Sequence, residues 1–311
     1  MQSREGLEMT ERRFDGRVVA ITGAGRGLGF EYARLLAARG ARIVINDNGS
    51  ALDGSGNDSS VAQQAVDRIA AEGGEAVACT ASVATPEGGK AIIEAALDSW
   101  GRIDGLIHNA GNTRFDNFAE ITADEFRSVV DVHLMGAFHV THAAFPHMVR
   151  AGFGRVVLTG SIGGLYTMPQ TIGYAVSKSG MIGLSNLIAL EGADHGIRSN
   201  IILPGAVTRM AEGLDISQYP PMTPDMVAPV VGYLVHEDCA VTAEMYVAMA
   251  GRVARAYVSE TRGVYRPDWT IDAVADNLDA IRAQDNGFVF HPAEGGFFAH
   301  MTESFAMARG N

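Results

Sequence analysis

Eight residues, Thr22-Gly23-Ala24-Gly25-Arg26-Gly27-Leu28-Gly29, join a short apolar run to a stretch whose apolar positions recur at helical spacing. A glycine run at that junction constrains the fold more than any other feature of the chain. Glycines let the backbone turn tightly and let a ligand approach it closely. The helix that follows turns its leading N–H groups and partial positive charge toward the turn, which suits the pyrophosphate of a dinucleotide. Alone, such a motif is a weak signal, because ordinary turns use the same residues. Its setting strengthens it. Residues 17–22 are a β-branched run, 26–39 a helix with Leu28, Tyr32, Leu35 and Leu36 on one face, and 41–46 a second strand.

The alternation continues along the chain. Residues 47–60, rich in Gly, Ser, Asn and Asp, read as a long loop. Helices are expected over 61–72, 87–100, 124–148 and 174–192, and strands over 75–80, 104–108, 154–159 and 198–203. Pro146 is expected to bend the last turn of the long 124–148 helix, and Pro204-Gly205 to end the sixth strand. A helix over 225–237 and a short strand over 244–248 complete the pattern. Strands apolar on both faces, alternating with helices, predict an α/β fold: a doubly wound parallel sheet in three layers, α/β/α. Residues 1–13 read as a polar arm, 14–250 as one domain, and 251–311 as an extension packing on the core or on a neighbouring subunit. Within that extension a helix is expected over 271–282, and the remainder has no strong period.

The length of 311 residues and a hydrophobic fraction of 47% are ample for one large core. Lys and Arg number 24 against 36 acidic residues, a net charge of -12, which argues against nucleic acid as a partner. Cys79 and Cys239 form no metal or redox motif, no metal site is expected, and two thiols in apolar settings fit a reducing compartment. No uninterrupted apolar run has membrane-spanning length, and no secretory signal pattern is present. The last residues, Ala-Arg-Gly-Asn, are not a peroxisomal address, so a soluble cytoplasmic protein is expected.

A second constellation carries the chemistry. Tyr174 and Lys178 in Tyr174-Ala175-Val176-Ser177-Lys178 share a helix face, and Ser161 stands thirteen residues before Tyr174. A cation beside a phenol stabilises the phenolate, which lets tyrosine exchange a proton near neutral pH. Ser161 can donate to a substrate oxygen. Tyr-x-x-x-Lys by itself is common, and a buried tyrosine with a snorkelling lysine would read the same way.

The glycine loop followed by Ser161, Tyr174 and Lys178 resembles the short-chain dehydrogenase/reductase family. That resemblance implies a Rossmann-type fold, NAD or NADP as cofactor, and a homodimer or homotetramer packed through the 124–148 and 174–192 helices. It implies cofactor contacts from Gly23, Gly25, Arg26, Gly27, Leu28 and Gly29 in the loop, and from Tyr174 and Lys178. Asp47, ending the second strand, can accept bonds from the adenosine ribose hydroxyls and repels a 2′-phosphate, or it merely starts the Asp-Asn-Gly turn. Arg26 points toward NADP. Asp47 outweighs it, because no Lys or Arg follows Asp47 before Arg68, and NAD is expected. Ser82 and Val83 fall where the family contacts adenine. His108-Asn109-Ala110-Gly111 resembles its Asn-Asn-Ala-Gly segment, with Asn109 tying strands and Ala110 and Gly111 lining the cofactor. Pro204, Gly205, Val207 and Thr208 complete the implied contacts.

His133 stands where the family has a catalytic Asn. It is either a member of a proton relay from Lys178 or a core histidine held by a carbonyl. Within the family, five segments narrow the resemblance. They are Val44-Ile45-Asn46-Asp47 with its long insertion, Asp131-Val132-His133-Leu134, Gly164-Leu165-Tyr166, Ala189-Leu190-Glu191-Gly192 and Val227-Ala228-Pro229-Val230-Val231. They are most similar to the (3R)-hydroxyacyl-CoA dehydrogenase branch, that of peroxisomal multifunctional enzyme type 2, here without the hydratase part. The branch implies oxidation of a 3-hydroxyacyl-CoA to the ketone. Ile162, Tyr166, Met168 and Met210 would line an apolar small-molecule pocket, with Met222 beside them and Arg114 and Arg209 as phosphate binders. A dehydrogenase of a free steroid, terpenoid or other small secondary alcohol is the alternative, and a non-catalytic NAD-binding regulatory protein is a third.

Overall fold

The computed structural model describes residues 11–208 and 218–309. Strand β1 (Val18–Thr22) pairs in parallel with β2 (Arg42–Asn46) on one side and β4 (Gly105–His108) on the other. β3 (Glu75–Cys79) lies outside β2, and β5 (Gly154–Thr159), β6 (Ile197–Gly205) and β7 (Met245–Met249) continue from β4. The sheet is eight-stranded, in the order β3-β2-β1-β4-β5-β6-β7-β8, with β8 spanning Arg252–Ala256. The chain therefore winds outward from β1 in one direction, returns, and winds the other way. That leaves a crevice at the carboxyl ends of β1 and β4, where a ligand can enter between the two halves.

Two helix layers cover this sheet. One contains α1 (Gly27–Ala38), α2 (Ser60–Ala71) and α7 (Ala228–Val235), packed with Ile21, Ile43, Ile45, Ile107 and Val157 from one face. The other contains α3 (Pro86–Trp100), α5 (Gly136–Ala151) and α6 (Ile172–Gly192), packed with Val18, Ala20, Val44, Leu106, Val156 and Leu158 from the opposite face. Alternate residues of each strand feed the two layers, so central strands must be apolar throughout. The three-layer, doubly wound architecture predicted by the alternation is the one observed.

Several elements differ from the expected ones. The helix expected over 124–148 is three pieces: α4 (Ala123–Val130), a π-helical turn (Asp131–Met135) and α5. Pro146 lies inside α5, which continues to Ala151. The sixth strand ends at Gly205 and takes in Pro204, a residue expected just beyond it. β5 stops at Thr159, opposite Ile202, so Pro204 pairs only with Ala248 of β7, and a missing N–H is tolerated there as on an edge. An eighth strand, β8 (Arg252–Ala256), joins antiparallel to β7. Asn277 splits the helix expected over 271–282 into α8 (Ile271–Asp276) and α9 (Leu278–Arg282). Another helix, α10 (Gly296–Arg309), occupies the stretch that shows no period, and the turn Pro292–Glu294 rests on α6.

Candidate functional site

The glycine loop takes its shape from close approaches that only glycine permits. Gly23 has φ +61°, and a Cβ there would lie 2.8 Å from the Ala110 Cα. A Cβ on Gly29 would lie 2.2 Å from the Gly23 carbonyl oxygen, so α1 packs directly on its own loop. Asn109 holds the loop from the neighbouring strand, donating from Nδ2 to the Gly23 carbonyl at 3.0 Å. Thr22 Oγ1 accepts from the amides of Asn109 and Ala110, both at 3.0 Å.

A cleft of about 400 Å³ opens above this loop. Gly23, Arg26, Gly27 and Leu28 form its floor, Asp47 and Asn48 one end, and Ser82, Val83, Asn109, Ala110 and Gly111 one wall. His133, Thr159, Tyr174 and Lys178 close the inner end, with Pro204 and Thr208 opposite. Gly25, Gly29, Gly205 and Val207 do not line it. Gly25 and Gly29 support the loop from behind, a Cβ on Gly205 would meet the Met249 side chain at 2.3 Å, and the Val207 amide is bonded to the Met222 carbonyl. Met210 and Arg209 lie outside the described residues.

The cleft fits a dinucleotide on its own chemistry. α1 has no acidic residue in its first turn and no side-chain cap, so its positive end is uncompensated toward the cleft. At the other end the Asp47 carboxylate accepts from the Gly25 amide at 3.0 Å and the Gly49 amide at 2.8 Å. Each oxygen keeps a lone pair for a ribose hydroxyl. Arg68 is not a rival cation there, because its guanidinium stacks 3.8 Å from the centre of the Phe30 ring. Asn48, Ser50, Ala51, Leu52 and Gly54 also line the cleft, part of a strap over 48–58 that motif reading does not single out. The Thr113 amide donates to the Leu52 carbonyl at 2.8 Å and ties the strap to the segment after β4. The signal for it is the run of Gly, Ser and Asn directly after Asp47.

At the inner end, Lys178 is 4% exposed and donates from Nζ to the Thr159 carbonyl at 2.6 Å. Burial pulls its ammonium down to about 7. Nζ stands 5.5 Å from the centre of the Tyr174 ring. Burial pushes the Tyr174 hydroxyl up, and a hydrogen bond with Ser161 pulls it back. The lowering expected from Lys178 is not seen: Ser161 alone opposes the effect of burial. Ser161 caps the turn Ile162–Gly164, its Oγ accepting from the Gly163 amide at 3.0 Å. A Cβ on Gly164 would lie 2.8 Å from the Lys178 backbone, so this turn lies flat on α6 and brings Ser161 to Tyr174.

His133 belongs to the π-helical turn, and its ring meets Tyr174 edge-on, centroids 5.4 Å apart. Nε2 faces the backbone of Asn112, 2.8 Å from its carbonyl and 3.1 Å from its amide, which donates to it. Nδ1 is buried with no partner among the described residues, as is Thr159 Oγ1. Burial, aided by the charge on Lys178, holds the His133 imidazole well below its ordinary value, so it is neutral. Gly111 makes this placement possible, since a Cβ there would lie 2.4 Å from His133 Cε1. Behind it, His108 donates from Nε2 to the His133 carbonyl at 3.0 Å and accepts from Thr22 Oγ1 at Nδ1, 3.1 Å away.

Ile162, Tyr166 and Met168 are 37%, 78% and 56% exposed, outside the cleft and on the loop that leads into Tyr174. The backbone of that loop bridges to the segment after β4 at Asp116 and Thr171, which places exposed Phe115 and Phe118 on the adjoining segment. Arg114 is consumed by Asp116 at 3.3 Å and Glu125 at 2.6 Å, so it is not the open phosphate binder expected of it.

A family model described as short chain dehydrogenase matches residues 17–216. The chain belongs to the short-chain dehydrogenase/reductase family. It is an NAD-dependent oxidoreductase of that family. A short-chain type dehydrogenase/reductase of Mycobacterium tuberculosis is 43% identical over 77% of the chain and 84% of its own length. The peroxisomal multifunctional enzyme type 2 of Drosophila melanogaster is 41% identical over 85% of the chain, and the match spans only 45% of that longer protein. A solved 7α-hydroxysteroid dehydrogenase, complexed with NADH and 7-oxo glycochenodeoxycholic acid, superposes with a TM-score of 0.70 at 26% identity, covering 77% of this chain and 95% of that one. Relatives in Dictyostelium discoideum and Mus musculus are, like the fly protein, peroxisomal enzymes. The expectation of a cytoplasmic protein is corrected by these relatives. It rested on the cysteine usage, the lack of a signal or spanning run and the last four residues, none of which identifies a compartment. No helix among the described residues is long and apolar enough to cross a membrane.

Proposed function

We propose that the chain oxidises a secondary alcohol to a ketone, with Ser161, Tyr174 and Lys178 as its catalytic residues and a 3-hydroxyacyl-CoA as its substrate. The observation that carries the reaction is that Tyr174 and Lys178 line the inner end of one dinucleotide-shaped cleft, with Ser161 hydrogen-bonded to Tyr174. Bound NAD supplies the hydride acceptor. Ser161 donates to the substrate oxygen, and Tyr174 takes the hydroxyl proton in oxidation and returns it in reduction. With its hydroxyl held up by burial, Tyr174 keeps its proton at neutral pH and is a better acid than base until the pH rises. Lys178, when charged, stabilises the phenolate. His133 takes the place of the family Asn as a neutral, buried polar group. Its Nδ1 and Thr159 Oγ1 are buried polar atoms with no partner among the described residues, and water is the ordinary partner of such atoms.

The CoA part of the reading rests on the segments shared with the multifunctional enzymes. The pairing of Arg114 favours a second reading, a free apolar alcohol, because it removes one cation from the substrate side. The experiment is a panel of 3-hydroxyacyl-CoA substrates beside free sterols and small cyclic alcohols, followed by NADH formation. The CoA reading expects the thioesters to be used at least about tenfold more efficiently, the discrimination worth about 1.4 kcal/mol of transition-state binding. Equal use of the CoA-free alcohols would establish the second reading instead. Oxidation of no secondary alcohol would overturn both.

A further inference from the structure

The glycine loop holds a charge that the NAD reading leaves unexplained. Arg26 is exposed on the cleft floor, and it and Lys178 are the only cations among the described residues lining the cleft. Lys178 is buried at the catalytic end. An arginine at the adenosine end is what a 2′-phosphate would seek. The strap supplies its counterweight. Asp58 lies at the end of the strap, where its amide donates to the Asn48 carbonyl at 3.0 Å. Gly49 presses on it so closely that a Cβ there would lie 2.1 Å from the Asp58 carbonyl oxygen. Its side chain accepts from the Ser60 amide at 3.0 Å, at the start of α2. The glycine loop abuts this same corner, since a Cβ on Gly25 would lie 2.4 Å from Val61 Cγ1.

We propose that Asp58 is a second determinant of cofactor choice: fixed by the strap beside the glycine loop, it offsets the charge of Arg26 and so denies a 2′-phosphate its cation. Asp47 rejects that phosphate directly, and Asp58 removes the residue that would otherwise attract it. The Ser60 hydrogen bonds hold the Asp58 carboxyl below the usual carboxylate range, so it is charged throughout the neutral region, and Arg26 lies within its field. Both groups are exposed, so the effect is modest and screened by salt.

The inference rests on the cleft being a dinucleotide site, and its test keeps the two apart. NADH and NADPH binding are measured by nucleotide fluorescence, without substrate, in an Asp47→Asn background that brings NADPH into range. Asp58→Asn is compared with Asp58→Ser, which keeps a capping hydroxyl for α2. Both variants should bind NADPH about two- to fivefold more tightly, with NADH changed little, and the gain should shrink as salt rises. It should vanish when Arg26→Ala is added. Normal NADH binding with no gain for NADPH, or a gain that survives Arg26→Ala, would overturn the role of Asp58. Failure of the unaltered protein to bind NADH would instead overturn the dinucleotide site itself.

Discussion

Ser161 has two jobs, and one substitution removes both with a separate readout for each. It is placed to donate to the substrate oxygen, and its hydrogen bond lowers the Tyr174 hydroxyl, which burial raises. Ser161→Ala should reduce turnover by about two to three orders of magnitude, the scale for losing one such donor. It should also move the alkaline rise of the oxidation rate to higher pH, because the lost bond was the influence pulling Tyr174 down. Steady-state rates across pH check both, and an unmoved profile would contradict the second. His133 is read differently. As a neutral polar group it is replaceable by another one, so His133→Asn should keep more activity than His133→Leu. The reverse order in kcat would contradict the polar role.

At the scale of elements, the loop between β1 and α1 is the most constrained piece. Gly29→Ala forces a Cβ onto the Gly23 carbonyl, a backbone atom that cannot step aside. It should destabilise the fold by about 1–3 kcal/mol and weaken NADH binding, read by thermal unfolding and nucleotide fluorescence. This loop, most of the first six strands and the catalytic helix are legible in the sequence because apolar runs there end abruptly at Gly, Asn or Asp, β3 excepted. Ser161, Tyr174 and Lys178 are legible for the same reason, at fixed offsets from a strand end and a helix start. Other elements leave no such mark. The π-helical turn at His133 adds one residue to a helix without breaking its apolar pattern. β8, with Arg252, Val253 and Arg255 exposed or half-exposed, has no doubly buried face to announce it. α10 exposes Phe297, Phe298 and Phe305 together, so its apolar residues follow no single stripe. The strap's part in the cleft depends on its long-range bond to Thr113, which no local pattern encodes.

For the molecule as a whole, two consequences follow from what is buried and what is not. α5 and α6 expose Phe138, Val176, Leu187 and Leu190, and Gly183 has open space above it. An apolar surface of this kind on adjacent helices suits a second copy, and a dimer or tetramer is expected. A monomer by light scattering at micromolar concentration would contradict it. His108 and His133 are buried and uncharged, the first pulled down to about 3 by burial and by the charge on Lys178, the second well below its ordinary value. The unfolded chain takes up those protons near 6.5 and the folded one does not, so stability is full above that pH and falls as the pH drops through the range below it. Each histidine should cost about 1.4 kcal/mol per pH unit until its folded value is reached. Urea midpoints at pH 7 and pH 5 test this, and a smaller loss in His108→Asn would assign the share due to that ring. The central claim concerns Tyr174, and one measurement reaches it most directly: NADH formation from NAD and the best alcohol of the panel, in the unaltered protein and in Tyr174→Phe, with NADH binding measured alongside. The account predicts that Tyr174→Phe binds NADH normally and loses about two to four orders of magnitude in turnover. Retention of most of the activity, with NADH binding intact, would contradict it.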